Sequence, residues 1–186
     1  MSRPVVLVDV DDVLADFYTA ALRVCGEILG RDVSAVPRTT WDIIDALEFT
    51  DAQRTAFEQA VGRSAFCASL APCAGAQAGV AALREIADVY AVTAPFDALY
   101  WVSERDWWLK EHFGFTRKQI VHTDAKYLVA GDVFIDDKVE HVRRWVDRRI
   151  GTAVLWAQPY NAGAAVGRAA RTNVWEDVYA LAAEHP

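Results

Sequence analysis

The stretch Val5-Val6-Leu7-Val8-Asp9-Val10-Asp11-Asp12 (residues 5–12) decides the fold class of this chain. Its first half is a run of apolar, mostly β-branched side chains without alternation, which is typical of a strand buried on both faces of a parallel sheet. Its second half places carboxylates directly after that strand. Because ligands of parallel α/β sheets bind outside the carboxyl ends of the strands, the stretch predicts a functional site there.

The same design, a buried apolar run that ends in polar residues, recurs along the chain. Four further strands are predicted, at residues 89–92, 119–121, 133–135 and 153–156. Segments with helical spacing separate or follow them, at residues 75–86, 98–113, 139–147 and 175–183. Strands that alternate with helices imply right-handed crossovers, so the sequence predicts an α/β protein with a doubly wound parallel sheet.

The first connection, residues 9–88, is far longer than a usual crossover. Two helices are predicted within it, at residues 17–29 and 51–61, and Thr50 is a suitable N-cap for the second. An insertion of this kind is typical of a small helical cap over the edge of the sheet. The predicted units are a cap of residues 17–75 and an α/β core of residues 1–16 and 76–186.

Composition and charge exclude several classes of protein. Of the 186 residues, 53% are hydrophobic and 24% are charged, as in an ordinary globular protein and unlike a disordered one. The net charge of −7 is unfavourable for binding a nucleic-acid polymer, whose affinity comes mainly from Lys and Arg at phosphates. The three cysteines are interpreted as buried thiols in a reducing compartment. With neither a signal peptide nor a membrane span in the sequence, we expect a cytoplasmic protein without membrane contact.

Four carboxylates are expected to meet at one edge of the sheet. Asp9 and Asp11 follow the first predicted strand, and Asp136 and Asp137 follow the fourth. Like charges this close persist when a cation lies between them or when one of them keeps a proton. An all-oxygen ligand set suits Mg²⁺ rather than zinc, so the sequence predicts a magnesium site.

Two more residues at strand ends are suited to holding a phosphate group. Thr93 follows the second predicted strand and offers a hydroxyl beside backbone N–H groups, and Lys126 offers a point cation for the charge that builds in phosphoryl transfer. Taken singly, an Asp, Thr or Lys at such a position is more often a turn, cap or surface residue. Together and in order, they indicate a catalytic site.

The order Asp-x-Asp, Thr, Lys and Asp-Asp, each after a buried strand, resembles the haloacid dehalogenase superfamily of phosphatases over nearly the whole chain. Residues 8–17, Val-Asp-Val-Asp-Asp-Val-Leu-Ala-Asp-Phe, resemble the opening motif Asp-x-Asp-Gly-Val-Leu-Ala-Asp-Phe of the deoxyribonucleotidases within it. Thr93-Ala94-Pro95 is similar to their Thr-Ser-Pro, and residues 122–126 and 134–138 complete the set. Asp12 stands where that family usually has glycine, which leaves the loop geometry and the metal affinity open.

The resemblance implies a two-step hydrolysis through a covalent aspartyl-phosphate. Asp9 would be the nucleophile, and Asp11 would first protonate the departing nucleoside oxygen and then activate water. The ligands of Mg²⁺ would be Asp9, the backbone carbonyl of Asp11, Asp136 and Asp137. The groups that bind the transferring phosphoryl group would be Thr93, Ala94 and Lys126.

Aromatic side chains of the predicted cap are candidates for stacking on a nucleobase. By resemblance, Phe17 would line the base pocket, and Trp41 and Phe66 lie at places similar to other pocket aromatics of the family. Packing inside the cap is the competing interpretation, and it is the better one for Trp41 and Phe66. Core packing and a homodimer surface are assigned to four aromatic residues on one predicted helix, Tyr100, Trp101, Trp107 and Trp108. The scattered histidines, His112, His122 and His141, are interpreted as structural or exposed.

The leading hypothesis is a Mg²⁺-dependent phosphatase of nucleoside monophosphates with a preference for deoxyribonucleotides. A sugar phosphate or another small ester is an alternative substrate, because the catalytic residues do not contact the leaving group. A receiver-like module that accepts phosphate on Asp is a second alternative, although Asp11 and the long first connection argue against it. A catalytically inactive nucleotide-binding protein is a third. The base, the sugar and the position of the phosphate stay open.

Overall fold

The computed structural model describes residues 3–185, which form one six-stranded sheet flanked by seven α-helices. The strands are β1 (Val5–Val8), β2 (Asp88–Thr93), β3 (Ile120–His122), β4 (Val133–Asp136), β5 (Thr152–Trp156) and β6 (Ala170–Thr172). The helices are α1 (Phe17–Leu29), α2 (Ile43–Ala46), α3 (Asp51–Val61), α4 (Ala76–Ile86), α5 (Trp101–Phe113), α6 (Val139–Arg148) and α7 (Trp175–Ala183). In the described part of the chain no helix is both long enough and apolar enough to cross a membrane.

The strand order places the carboxylate-bearing loops side by side. The order is β3-β2-β1-β4-β5-β6 and every pair is parallel, which confirms the predicted doubly wound α/β sheet. The chain builds outward from β1 to one edge and then returns to build outward from β4 to the other. The ends of β1 and β4 therefore flank the point at which the strand order reverses, where such sheets bind their ligands. In register, Val8 of β1 pairs with Ile135 of β4.

The sixth strand was not predicted from the sequence. β6 pairs with β5 at the edge of the sheet, where Thr172 is opposite Trp156. None of its three residues is buried, so it carries no apolar run that would mark it as a strand. An edge strand of this length is defined by its neighbour rather than by its own composition.

The part of the first connection that precedes α4 contains the two predicted helices, α1 and α3, and the short helix α2. Thr50 is the N-cap of α3 as predicted: its Oγ accepts the N–H of Gln53, and the Gln53 side chain accepts the N–H of Thr50. Phe57 and Val61 of α3 belong to the same buried cluster as Val8 of β1. The inserted helices and the sheet thus share one continuous apolar core.

The burial of the cysteines and of the aromatic residues at α5 agrees only in part with the sequence-based expectation. Of the cysteines, Cys25 and Cys67 are buried, whereas Cys73 is only partly buried, so the interpretation as three buried thiols was wrong for it. Of the four aromatic residues to which core packing or a homodimer surface was assigned, Trp101 and Trp108 pack in the core. Tyr100 and Trp107 lie at the surface, with exposed fractions of 48% and 51%.

Candidate active site

A tight loop after β1 orients the first two candidate carboxylates. The N–H of Asp9 donates to the carbonyl of Ile135 in β4 (2.9 Å), and the N–H groups of Leu14 and Ala15 both donate to the carbonyl of Val10 (2.8 Å each). This loop returns the chain towards α1 within a few residues. The side chain of Asp9 lies on the β4 side of the loop, near Asp136, while that of Asp11 faces α5.

Three buried carboxylates form a cluster at this edge of the sheet. Asp9, Asp136 and Asp137 each offer an oxygen, and these oxygens all lie within 4.8 Å of one another. Lys126 Nζ lies 2.5 Å from Asp9 Oδ1 and 3.0 Å from Asp136 Oδ2. The sequence-predicted residues from β1, β4 and the turn after β3 are therefore brought together.

The charges of this cluster are only partly balanced. Burial and the nearby Asp136 raise the pKa of Asp9 to about 7, although Lys126 opposes the shift. Burial and the negative charges of Asp9 and Asp136 also raise the pKa of Asp137 well above its ordinary value. For Asp136, burial alone would raise the pKa, but Lys126 and His141 outweigh it and hold the pKa at about 2. One lysine against three buried carboxylates leaves an excess of negative charge.

These residues fit a hard divalent cation. The donor set consists of carboxylate oxygens alone, and a further positive charge would relieve the mutual repulsion that contributes, after burial, to the raised pKa values of Asp9 and Asp137. Asp9, Asp136 and Asp137 are the side chains that could hold Mg²⁺. The Asp11 carboxylate is not one of them, because it is turned towards an arginine; only its backbone carbonyl is left for the metal role that we expected of Asp11.

The partner of Asp11 is Arg105, which the sequence analysis missed. Arg105 Nη2 donates to Asp11 Oδ1 (2.6 Å), and the Arg105 side chain is completely buried. Its guanidinium group lies 5.2 Å from the ring centroid of Trp101 and 5.9 Å from that of Trp108, one turn of α5 on either side. The sequence did hold a signal for Arg105, because it lies on the same face of the helix as Trp101 and Trp108. A charged residue buried on such an apolar face needs a partner of opposite charge.

A cavity of about 400 Å³ extends from the carboxylates to an aromatic wall. At one end it is lined by Asp9, Asp11, Asp137 and Lys126. At the other end the walls are apolar, and they are formed mainly by Phe17, Ile43, Ile44, Phe57, Pro95, Phe96 and Trp101. The cavity therefore joins a charged end to a flat, apolar one.

The three predicted base-binding residues occupy different places around this cavity. Phe17 lines the apolar end. Trp41 also lines the cavity, with 54% of its surface exposed, and its ring centroid lies 3.9 Å from Lys138 Nζ. Phe66 does not line it: the Phe66 ring is buried against Phe17 and Trp101, at centroid distances of 6.2 and 6.3 Å. Phe66 is thus a packing residue that supports the Phe17 ring, which is the interpretation preferred for it from the sequence, and the candidate base contact is dropped.

The predicted phosphate-binding residues lie at the ends of β2 and β3. Ala94 lines the cavity, and Lys126 does so beside the carboxylates. Thr93 is fully buried behind Ala94, and its Oγ1 has no hydrogen-bond partner among residues 3–185. A buried hydroxyl without a partner is uncommon, because its desolvation is not offset, and the hydrogen-bonding capacity of Thr93 is left unused within the described residues.

Three further residues that contact the candidate metal ligands Asp136 and Asp137 were not predicted from the sequence. His141 Nδ1 lies 3.0 Å from Asp136 Oδ2, so the interpretation of His141 as merely structural or exposed was incomplete. The Tyr160 hydroxyl donates to Asp137 Oδ2, and Asn161 Nδ2 donates to the Asp137 carbonyl (2.8 Å). Residues 160 and 161 follow β5 in a short turn whose sequence carries no apolar or acidic pattern. They are identified only by the neighbouring position of β5 in the sheet.

A protein-family model matches nearly the whole chain. The family described as "5' nucleotidase, deoxy (Pyrimidine), cytosolic type C protein" matches residues 3–185. No curated protein gives a significant match.

Solved structures of similar fold include bacterial hydrolases. A HAD family hydrolase from Deinococcus radiodurans R1, with bound phosphate and sodium, has 16% identity and a TM-score of 0.62, and the match covers 98% of this chain and 96% of that one. A haloacid dehalogenase-like hydrolase from Streptococcus pneumoniae has 10% identity and a TM-score of 0.64 over 96% and 97% of the two chains. A HAD-hydrolase from Bacillus subtilis, bound to magnesium, has 14% identity and a TM-score of 0.62 over 98% and 100%. At these identities the likeness shows the fold.

Proposed function

The chain belongs to the 5' nucleotidase, deoxy (pyrimidine), cytosolic type C family, and we propose that this phosphatase removes phosphate from nucleoside monophosphates with the help of Mg²⁺, through an aspartyl-phosphate intermediate. One observation carries the proposal: a single cavity has buried carboxylates with Lys126 at one end and aromatic rings at the other. A phosphate bound at the charged end would place an attached base at the apolar end. The preference for a deoxyribose and a pyrimidine, which the family description names, is part of the proposal.

Asp9 is the proposed nucleophile. Both of its close contacts, from the N–H of Val10 (2.6 Å) and from Lys126 Nζ (2.5 Å), are made to Oδ1. Among residues 3–185 no hydrogen bond is made to Oδ2, which leaves that oxygen free to attack. Attack on phosphorus forms the Asp9–phosphate bond and breaks the bond between phosphorus and the nucleoside oxygen.

Asp11 is the proposed acid and base of the two steps. In the first, it gives its proton to the nucleoside oxygen as that oxygen leaves; in the second, it takes a proton from the water that attacks the phosphorus and frees Asp9. Its side chain is 30% exposed and lines the cavity, while Arg105 fixes its orientation from behind. Arg105 is therefore a positioning residue.

The remaining polar residues stabilise the transferring phosphoryl group. Lys126 supplies a positive charge beside Asp9, and the Thr93 hydroxyl and the backbone at Ala94 supply donors from the end of β2. Mg²⁺ held by Asp9, Asp136 and Asp137 would supply neutralisation of the phosphate charge. These groups do not contact the leaving group, so the aromatic end of the cavity determines which ester is bound.

A substrate panel tests this function. We expect phosphate release in Mg²⁺, but not in chelator, from nucleoside monophosphates, with deoxyribonucleotides preferred to sugar phosphates.

A Phe17→Leu variant should lose roughly 10-fold in kcat/KM on nucleotides, in line with the energy of stacking one base on an aromatic ring, and lose nothing on sugar phosphates. Tyr179→Leu, on the surface of α7, is the matched control. A preference for base-free esters would contradict the assignment of nucleotides as substrates, but not the assignment of the protein as a phosphatase.

Stability measurements test the metal site without turnover. The pKa of Asp9 is about 7 when folded and 3.8 in an unperturbed chain, so between these values the folded protein holds a proton that the unfolded one has released. Without Mg²⁺, the free energy of unfolding therefore falls as the pH rises through this window. Mg²⁺ binds the deprotonated form, and we expect it to raise the Tm by about 5 to 10 °C at pH 8 and by far less at about pH 5.5.

Two variants decide whether this stabilisation comes from the carboxylate cluster. Asp137→Asn should remove most of the Mg²⁺ effect at the higher pH, because it removes one of the three clustered carboxylates. Asp147→Asn, an exposed residue at the end of α6, should leave the effect unchanged. Equal Mg²⁺ effects in both variants, or no effect in the wild-type protein, would contradict the assigned site.

A further inference from the structure

Arg38, in the segment between α1 and α2, contacts three separate parts of the molecule. Its Nη2 lies 2.8 Å from Asp12 Oδ2 in the loop after β1. Its guanidinium group lies 4.2 Å from the ring centroid of Tyr18 in α1 and 4.9 Å from that of Tyr160 in the turn after β5. Cations stack favourably on aromatic faces at such distances. Arg38 thus joins the inserted segment to the edge of the sheet.

Asp12 is held in a backbone conformation that L-residues rarely adopt. Its φ is +60°, in the left-handed region that favours glycine. Both of its carboxylate oxygens are engaged, Oδ1 by the N–H of Tyr18 (2.9 Å) and Oδ2 by Arg38, and its carbonyl accepts Gln158 Nε2 (2.7 Å). The contacts with Arg38 and with the N–H of Tyr18 therefore stabilise an acidic side chain at a position that glycine would fill without strain.

The residues directly after Arg38 border the cavity, and we call residues 38–42 the strap. Trp41 and Asp42 of the strap line the cavity, and the Trp41 ring lies 3.9 Å from Lys138 Nζ on the core. Arg38 fixes one end of the strap to the loop that carries Asp9 and Asp11. Tyr160, whose ring stacks on Arg38, also donates a hydrogen bond from its hydroxyl to Asp137. Arg38 therefore lies close to the carboxylate cluster.

We propose that Arg38 is a positioning residue: paired with Asp12 and stacked between two tyrosines, it holds the strap against the cavity and thereby sets substrate affinity rather than the rate of the chemical step. The kinetic part of this inference rests on the proposed function. The structural part, that the Arg38–Asp12 contact orders the strap, does not.

A double-mutant cycle tests both parts. In Arg38→Met we expect amide exchange in peptides spanning residues 33–47 to accelerate about tenfold, because local opening no longer breaks these contacts. With a deoxyribonucleoside monophosphate, KM should rise about tenfold while kcat stays within about threefold. In an Asp12→Gly background, Arg38→Met should have a clearly smaller effect on both quantities than in the wild-type background, because the ion pair is already absent and only the stacking on Tyr18 and Tyr160 is left to lose.

Two further variants make the cycle specific. Arg38→Lys keeps the charge but loses the planar stacking on Tyr18 and Tyr160, and we expect an intermediate rise in exchange and in KM. Arg23→Met, which removes an exposed arginine paired with Glu27 on α1 (3.3 Å), should change neither. Arg38→Lys also keeps the test valid if Arg38→Met folds poorly.

The outcomes separate the two claims. Unchanged amide exchange at residues 33–47 in Arg38→Met, or equal effects of Arg38→Met in both backgrounds, would contradict the claim that the Arg38–Asp12 contact orders the strap. A loss of kcat at constant KM would overturn its role in affinity. If the wild-type protein hydrolyses no monophosphate at all, the proposed function fails, while the exchange measurement still decides whether Arg38 orders the strap.

Discussion

An Asp9→Asn variant is expected to lose phosphatase activity by about four orders of magnitude or more, because it removes the atom that we assign as the nucleophile. The amide has the same shape as the carboxylate but no negative charge with which to attack phosphorus. The fold should persist. Burial raises the pKa of Asp9 to about 7, so the neutral amide resembles the protonated side chain that the folded protein favours below that pH without metal.

The measurement is steady-state phosphate release at saturating Mg²⁺, with thermal unfolding of each variant as the check on folding. Asp124→Asn is the matched control, since Asp124 also lines the cavity but lies outside the carboxylate cluster. We expect it to keep activity within about tenfold of wild type. Turnover by Asp9→Asn at a rate similar to that of Asp124→Asn would show that Asp9 is not the nucleophile.

An Asp11→Asn variant should be nearly as severe, but its defect should depend on the leaving group. A nucleoside alkoxide leaves poorly without a proton, so we expect nucleotide hydrolysis to fall by about 10² to 10⁴. An aryl ester such as p-nitrophenyl phosphate leaves without an acid. With that substrate we expect a rapid release of one equivalent of nitrophenol per chain, followed by slow turnover, because the second step still lacks its base.

Rapid-mixing kinetics with both substrates distinguish this mechanism from a general loss of structure. Asp9→Asn should give no burst with the aryl ester, and wild type should turn over both esters. The same fractional loss on both substrates in Asp11→Asn, without a burst, would argue that Asp11 acts only through the loop geometry or through its contact with Arg105.

The strands that carry the site could be predicted from the sequence because strands buried on both faces consist of consecutive apolar residues. β1 and β4 are runs of apolar residues, and a parallel sheet requires carboxylates at their ends to share one edge. This rule predicts the cluster of Asp9, Asp136 and Asp137 beside Lys126, but it also placed the Asp11 carboxylate there, which pairs with Arg105 instead. β6 and α2 are short and depend on tertiary contacts, so the sequence held too little signal for them.

The supporting residues of the site could not be predicted in the same way. Arg105 and Asp11 are 94 residues apart, and no periodicity relates them. For Phe66, the position in the inserted segment resembled that of a base-binding residue. In the structure, however, the Phe66 ring packs against the Phe17 and Trp101 rings. Which aromatic residues face a cavity is decided by packing between elements, which a single sequence does not specify.

The covalent intermediate on Asp9 is the centre of this account, and trapping it is the most direct test. Asp11→Asn is mixed with p-nitrophenyl phosphate and Mg²⁺, quenched in acid during the burst, digested and analysed by mass spectrometry. We expect one phosphoryl group per chain, on the peptide that contains Asp9, and none in the Asp9→Asn/Asp11→Asn double variant. Nitrophenol release without a phosphorylated peptide, or a phosphoryl group on another residue, would contradict the account.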